Sequence, residues 1–171
     1  MTADELIAEI EEHFADVTRG EGMTLAQGAV VADYGAQADW DLASQVPCDA
    51  RWQDIPDSVL DVHAHTLNFL DQKGFRFYLP AFMRRSLRLL GEIVNEPWAN
   101  TVGNLTFWPQ DSEEPNNPSV DWMRECWDGF TPEQGRVILS FLDFTVASPL
   151  DSADQEMAAK AIEDYWKKFR K

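Results

Sequence analysis

The chain has 171 residues, enough for one domain with a real core, and its 44% hydrophobic and 12% aromatic content excludes disorder by composition. Lys and Arg number 14 against 30 Asp and Glu, and a net charge of -16 repels nucleic-acid phosphates and anionic lipid. No apolar run reaches the length of a membrane span, the start Met1-Thr2-Ala3-Asp4-Glu5 is acidic where a secretion signal is basic, and Cys48 and Cys126 alone make no disulfide framework, so a cytoplasmic protein is expected.

Charge divides the chain unevenly. Residues 1–61 hold 14 acids and 2 bases, residues 62–110 hold 3 and 5, and residues 111–171 hold 13 and 7. The N-terminal third therefore reads as an acidic face and the middle third as core. Thr2 and Glu5 stand at capping-box spacing before Leu6, Ile7, Ile10 and Phe14, which predicts a first helix. Gly20-Glu21-Gly22 breaks it. Thr24 and Gln27 repeat the box, so a short helix should run to Tyr34 and stop at Gly35. Residues 36–44 suit another short helix carrying Trp40, and Pro47 to Pro56 reads as a loop that pins Trp52.

From Asp57, placed as an N-cap, the apolar steps Leu60, His63, Leu67 and Leu70 predict a helix with Gly74 just past its end. Phe75 to Leu79 is an aromatic run that predicts an extended segment, with Pro80 opening the next helix through Phe82, Met83, Leu87, Leu90 and Val94. Thr101 to Trp108 suits a strand. Pro109 to Pro118 should be an exposed mobile loop. Thr131-Pro132-Glu133-Gln134 caps a helix whose face is Val137, Ile138, Phe141, Leu142 and Thr145, ended by Pro149. Asp151 or Ser152 opens a last helix, and Lys167, Lys168, Arg170 and Lys171 suit its negative end.

The expected fold is mostly α: a single compact domain over 1–171 with five or six helices and at most one or two short strands. Its parts are an acidic helical segment 1–56, core helices 57–96, an irregular segment 97–130 and a C-terminal helix pair 131–171.

Few constellations carry chemistry. Asp61-Val62-His63-Ala64-His65 looks like the metal-binding strand end of amidohydrolases, which would make a small metal-dependent hydrolase. That barrel needs about 250 residues, however, and the helical phase here turns His63 to the core and His65 to water. Glu9 and His13 lack the Glu-x-x-His spacing of a di-iron bundle, and Asp39 and Asp41 lack the Gly and Glu that complete a calcium loop. No phosphate loop, serine elbow or zinc-spaced cysteine set occurs, and acids around Cys48 disfavour a thiolate nucleophile. No catalytic residue, metal or cofactor is assigned. Arg76, Arg84, Arg85 and Arg88 form a basic cluster; Arg76, Arg84 and Arg88 would hold an anion unless they pair with the chain's own carboxylates. The seven tryptophans lie mostly in or beside loops, where some anchor the core and one or two would serve as contacts.

Trp52-Gln53-Asp54-Ile55-Pro56, Phe69-Leu70-Asp71, the run Gly74 to Met83, Phe130-Thr131-Pro132-Glu133-Gln134 and Tyr165-Trp166 together resemble a family of small bacterial proteins classed as a domain of unknown function. The likeness extends to Thr24-Leu25 and Asp33-Tyr34-Gly35 and so covers nearly the whole chain. It implies an accessory or immunity-type protein and carries no catalytic assignment. The resulting expectation is a non-enzymatic binding module, an immunity-type inhibitor whose acidic face meets a basic protein such as a nuclease toxin. Asp33, Asp39, Asp41, Asp54 and Asp57 would steer association, and Trp40 would anchor it.

Overall fold

Local capping chemistry sets most of the helix starts. The computed structural model describes residues 1–47, 50–92, 95–107, 118–148 and 152–170. Helix α1 (Ala3–His13) opens on a complete capping box, in which Thr2 accepts from the Glu5 amide and Glu5 accepts from the Thr2 amide at 2.7 Å. Thr24 and Gln27 do the same for α2 (Leu25–Ala32), as expected. Helix α3 (Gln37–Ala43) has half a box, since Ala36 has no side-chain oxygen and only Asp39 accepts, from the Ala36 amide at 2.8 Å. A 3-10 turn at Trp52–Asp54 leads to α4 (Asp57–Val62), and a second at Leu67–Phe69 leads to α5 (Gln72–Arg88). Then follow α6 (Glu96–Gly103), α7 (Pro118–Asp128), α8 (Pro132–Ala147), α9 (Ser152–Asp164) and a last 3-10 turn at Trp166–Phe169. Thr131, Pro132 and Gln134 open α8 as their spacing predicts.

The chain is mostly helical, but the expected five or six helices become nine among the described residues, with no strand. The helix expected from Asp57 to Leu70 ends at Val62, and Asp57 is its first helical residue after an N-cap at Pro56. The segment Phe75 to Leu79 is helical, not extended, and Pro80 lies inside α5. A helix apolar on every side loses the 3.6-residue rhythm that marks a surface helix. Phe75, Phe77, Tyr78, Leu79, Ala81, Phe82 and Met83 are all buried, because α5 is the central element and touches α1, α4, α6 and α7. Burial on this scale offsets the missing Pro80 amide, a loss of about 3 kcal/mol in an exposed helix. Gly74, expected beyond a helix end, sits in the first turn of α5, whose N-cap is Asp71. Thr101 to Gly103 belong to α6 instead of a strand, because Asn95 caps that helix with Pro97 in its first turn. The expectations placed on Cys48, Val94, Trp108, the loop from 109 to 117, Pro149, Asp151 and Lys171 lie outside the described residues.

One contiguous core runs from Leu6 to Trp166. Trp52, Trp98, Trp127 and Trp166 are its largest fully buried side chains; Trp52 and Trp166 anchor 3-10 turns, whereas Trp98 and Trp127 belong to helices α6 and α7. No helix among the described residues is long and apolar enough to cross a membrane.

Cys126 on α7 is fully buried, and desolvation pushes its thiol up to about 12, the nearby Arg76 charge only partly opposing it. Burial and the Asp128 hydrogen bond likewise raise the Tyr165 hydroxyl. Both groups keep in the fold a proton that the unfolded chain releases earlier. Stability is therefore full below about pH 9 and falls as pH rises beyond it. In a Cys48→Ser chain, a thiol reagent at pH 8 should label Cys126 only once urea unfolds the protein; labelling at the free-thiol rate without urea would contradict this burial.

Candidate functional site

The α2–α3 unit carries the most unusual surface. Helix α2 ends in a Schellman arrangement: the Gly35 amide donates to the Val30 carbonyl at 2.8 Å and the Tyr34 amide to the Val31 carbonyl at 3.2 Å. The left-handed position of that motif normally belongs to glycine. Here it belongs to Tyr34, at a φ of 53°, the only non-glycine residue with positive φ among those described. Gly35 follows because a Cβ there would approach Val30 Cγ1 to 2.7 Å. An L side chain in this conformation costs about 1 kcal/mol, and Tyr34 recovers none of it by packing, being 96% exposed.

The same unit carries exposed carboxylates and apolar side chains besides Tyr34. Asp33, the C-cap of α2, is exposed and makes no ion pair. Asp39 is used by the Ala36 amide and Asp41 accepts from Gln37 Nε2 at 2.8 Å, and neither meets a cation. Val31, Leu42 and Val46 are exposed, while Trp40 is half-buried. Gln27 Nε2 donates to Ser44 Oγ at 3.0 Å and fixes the two helices to each other.

The remaining expected acids do not join them. Asp54 is exposed in the 3-10 turn before α4, and Asp57 is neutralised by Arg85 at 3.2 Å and Arg88 at 3.3 Å. Asp57 is therefore a structural acid. Arg85 also grips Asp61 bidentately, Nε and Nη2 each donating at 2.8 Å, and the Asp61 hydrogen bond raises the arginine's pKa. Asp61 is thus unavailable as a ligand. His63, the C-cap of α4, is half-buried and lies 3.4 Å from Thr66 Oγ1, and His65 is exposed. Burial first and His65 second lower the His63 pKa. The trio Asp61, His63 and His65 does not converge, and no three His, Cys, Asp or Glu side chains form a metal-holding group among the described residues.

The expected anion cluster of Arg76, Arg84 and Arg88 also separates. Arg84 is buried against Glu11 at 3.4 Å and Arg88 holds Asp57. Arg76 lies about 12 Å before Arg84 along α5 at 1.5 Å per residue, and its guanidinium reaches the Glu125 carbonyl at 3.4 Å. Sequence reasoning missed Tyr34 because the helix stop was assigned to Gly35. A bulky residue immediately before a stop glycine was the available signal.

No curated protein and no solved structure matches the chain. Residues 2–170, nearly the whole chain, match the family of unknown function DUF6714, and the chain belongs to that family.

Proposed function

We propose that this chain is a non-enzymatic binding protein whose α2–α3 surface docks a basic protein partner, as an immunity-type inhibitor would dock a bacterial toxin. The observation that carries this reading is Tyr34, held in a strained backbone conformation and turned almost wholly to water beside Asp33. Strain of that kind is maintained where a side chain has a use. Tyrosine and tryptophan are enriched at binding hot spots, so Tyr34 is the anchor and half-buried Trp40 the adjoining contact. The exposed Val31 and Leu42 supply apolar area. Asp33, Asp39 and Asp41, none of them ion-paired, supply a field that accelerates encounter with a cationic surface. The N-terminal third adds to that field, because Asp4, Glu9, Glu12, Asp16 and Glu21 are also without ion pairs.

Tyr34→Gly separates binding from folding. It should stabilise the fold by about 1 kcal/mol, since glycine adopts the left-handed conformation without penalty. It should also remove the anchor. A pull-down from the source cell's lysate at low salt, with wild type, Tyr34→Gly and Asp33→Asn/Asp41→Asn as baits, tests both parts. The expected result is a basic protein held by wild type, eluted by moderate salt and lost from both variants. Identical retention by all three baits, or elution independent of salt, would remove the basis of this reading.

A further inference from the structure

Among the described residues, five Lys and Arg side chains hold no carboxylate within 4.0 Å; Arg51 and Arg124 stand apart, Arg124 over the Phe107 ring, and the other three gather in one place. From Arg84 to Arg88 and from Arg136 to Arg170, every described Lys and Arg holds a carboxylate within 4.0 Å. Arg19, Lys73 and Arg76 hold none, although acids outnumber bases 30 to 14. All three line one cleft of about 420 Å³ between the loop after α1, the first turn of α5 and the start of α8. From this arrangement we infer an anion site for a small phosphate-bearing ligand.

The loop is built to bring these charges together. Gly20, at a φ of 57°, turns the chain so that the Gly22 amide donates to the Arg19 carbonyl at 3.0 Å, and Arg19 Nη1 closes the turn on the Gly22 carbonyl. Gly22 and Gly74 then allow backbone to touch backbone. A Cβ on Gly22 would lie 2.6 Å from the Gly74 nitrogen and 2.7 Å from Lys73 Cβ, and one on Gly74 would lie 2.7 Å from the Met23 carbonyl oxygen. Asp71 Oδ1 clamps the contact, accepting from the Met23 amide at 2.9 Å and the Gly74 amide at 2.8 Å. Arg19 is thereby fixed beside Lys73 and Arg76.

The opposite wall is equally specific. Arg76 lies across Gly129, where any Cβ would collide with its Nη1 and Cζ. Gln134 at the start of α8 donates to the His13 carbonyl at 3.2 Å and tethers that helix to the end of α1. The nearby acids are engaged elsewhere: Asp71 by two amides, and Glu125 by Gln72 Nε2. Glu21, in the turn itself, is exposed and pairs with none of the three cations. Arg19 Nε is shut from water with no partner, so its position is held at a cost.

Two guanidiniums and an ammonium match the charge of a phosphate dianion better than that of a single carboxylate, and with Nη1 of each arginine on a backbone carbonyl, Nη2 of Arg19 and of Arg76 is left to donate. Phe130 and Val17 give the cleft an apolar side that suits the organic part of the ligand. The cleft volume lies within the range of small-molecule sites.

Calorimetry with inorganic phosphate and pyrophosphate tests the assignment. Pyrophosphate should bind with one-to-one stoichiometry and more tightly than phosphate. Arg76→Gln and Lys73→Gln should each weaken it about tenfold, while Arg136→Gln, which removes a cation outside the cleft, should leave it unchanged. Lys73 is exposed and makes no hydrogen bond, so its variant tests binding without threatening the fold. Absence of saturable heat, equal binding in the Lys73→Gln and wild-type chains, or citrate matching pyrophosphate at equal concentration would each overturn the phosphate site.

Discussion

Trp166→Ala should lower the unfolding free energy by about 4 kcal/mol, the upper part of the range for removing a buried aromatic side chain. Trp166 is fully buried in the 3-10 turn that follows α9. Its ring centroid lies 4.9 Å from Tyr165, 5.4 Å from Trp127, 5.8 Å from Phe169 and 6.4 Å from Phe130, so its loss opens a cavity shared by three elements. Its Nε1 donates to the Leu105 carbonyl at 2.9 Å. Alanine would leave that carbonyl buried without a donor, which adds to the cavity term. Domains of this kind are stable by about 5–15 kcal/mol in total, so the variant should unfold at much lower urea.

Trp166→Phe divides the effect. It keeps most of the ring contacts and loses the hydrogen bond, so about 2 kcal/mol is expected. Urea melts read by circular dichroism at 222 nm suit a chain with seven tryptophans, because helix loss reports the whole fold. A cost below about 1 kcal/mol for Trp166→Ala would show that the C-terminal turn is not part of the cooperative core.

How far the sequence carries depends on how local the deciding interaction is. Thr2 with Glu5, Thr24 with Gln27 and Thr131 with Gln134 each complete a cap within three residues, and all three helix starts stand where the spacing places them. His63 is half-buried and His65 exposed, as expected, but not through helical phase, because α4 ends at Val62 and both histidines lie in the turn after it. Helix α5 is different: apart from Arg76, Phe75 to Met83 is apolar and buried, and only the surrounding helices show why that run is not a strand. The self-pairing of Arg84 with Glu11 and of Arg85 with Asp61 joins distant segments of known composition but unknown proximity. The cation cleft is less legible still. It depends on Gly22 meeting Gly74 across a clamp whose partners, Met23 and Asp71, stand 48 residues apart. The acids spread across residues 33–57 read as one face in sequence, yet Asp57 is spent on two arginines while Asp33, Asp39 and Asp41 remain unpaired.

Arg84→Ala should cost about 3 kcal/mol, and the reason is burial more than charge pairing. The Arg84 side chain is only 5% exposed on α5, and desolvation is the largest influence on it, lowering its pKa, with Arg88 adding to that and Glu11 and Asp57 opposing it. Its Nη2 donates to the Gln53 carbonyl at 2.9 Å, and its guanidinium sits 5.0 Å from the Trp52 ring centroid. Trp52 in turn donates from Nε1 to the Phe14 carbonyl at 2.7 Å, so Arg84 links α5 to the 3-10 turn and, through Trp52, to the end of α1. Glu11, by contrast, is 45% exposed and 3.4 Å away, so water already shares its charge. Glu11→Gln should therefore cost no more than about 1 kcal/mol. Arg84→Met keeps the stem over Trp52 and loses the Gln53 bond, so it should fall between the two. Equal losses in Glu11→Gln and Arg84→Ala would mean that the ion pair holds this junction; the expected threefold disparity means that the Trp52 face and the Gln53 carbonyl do.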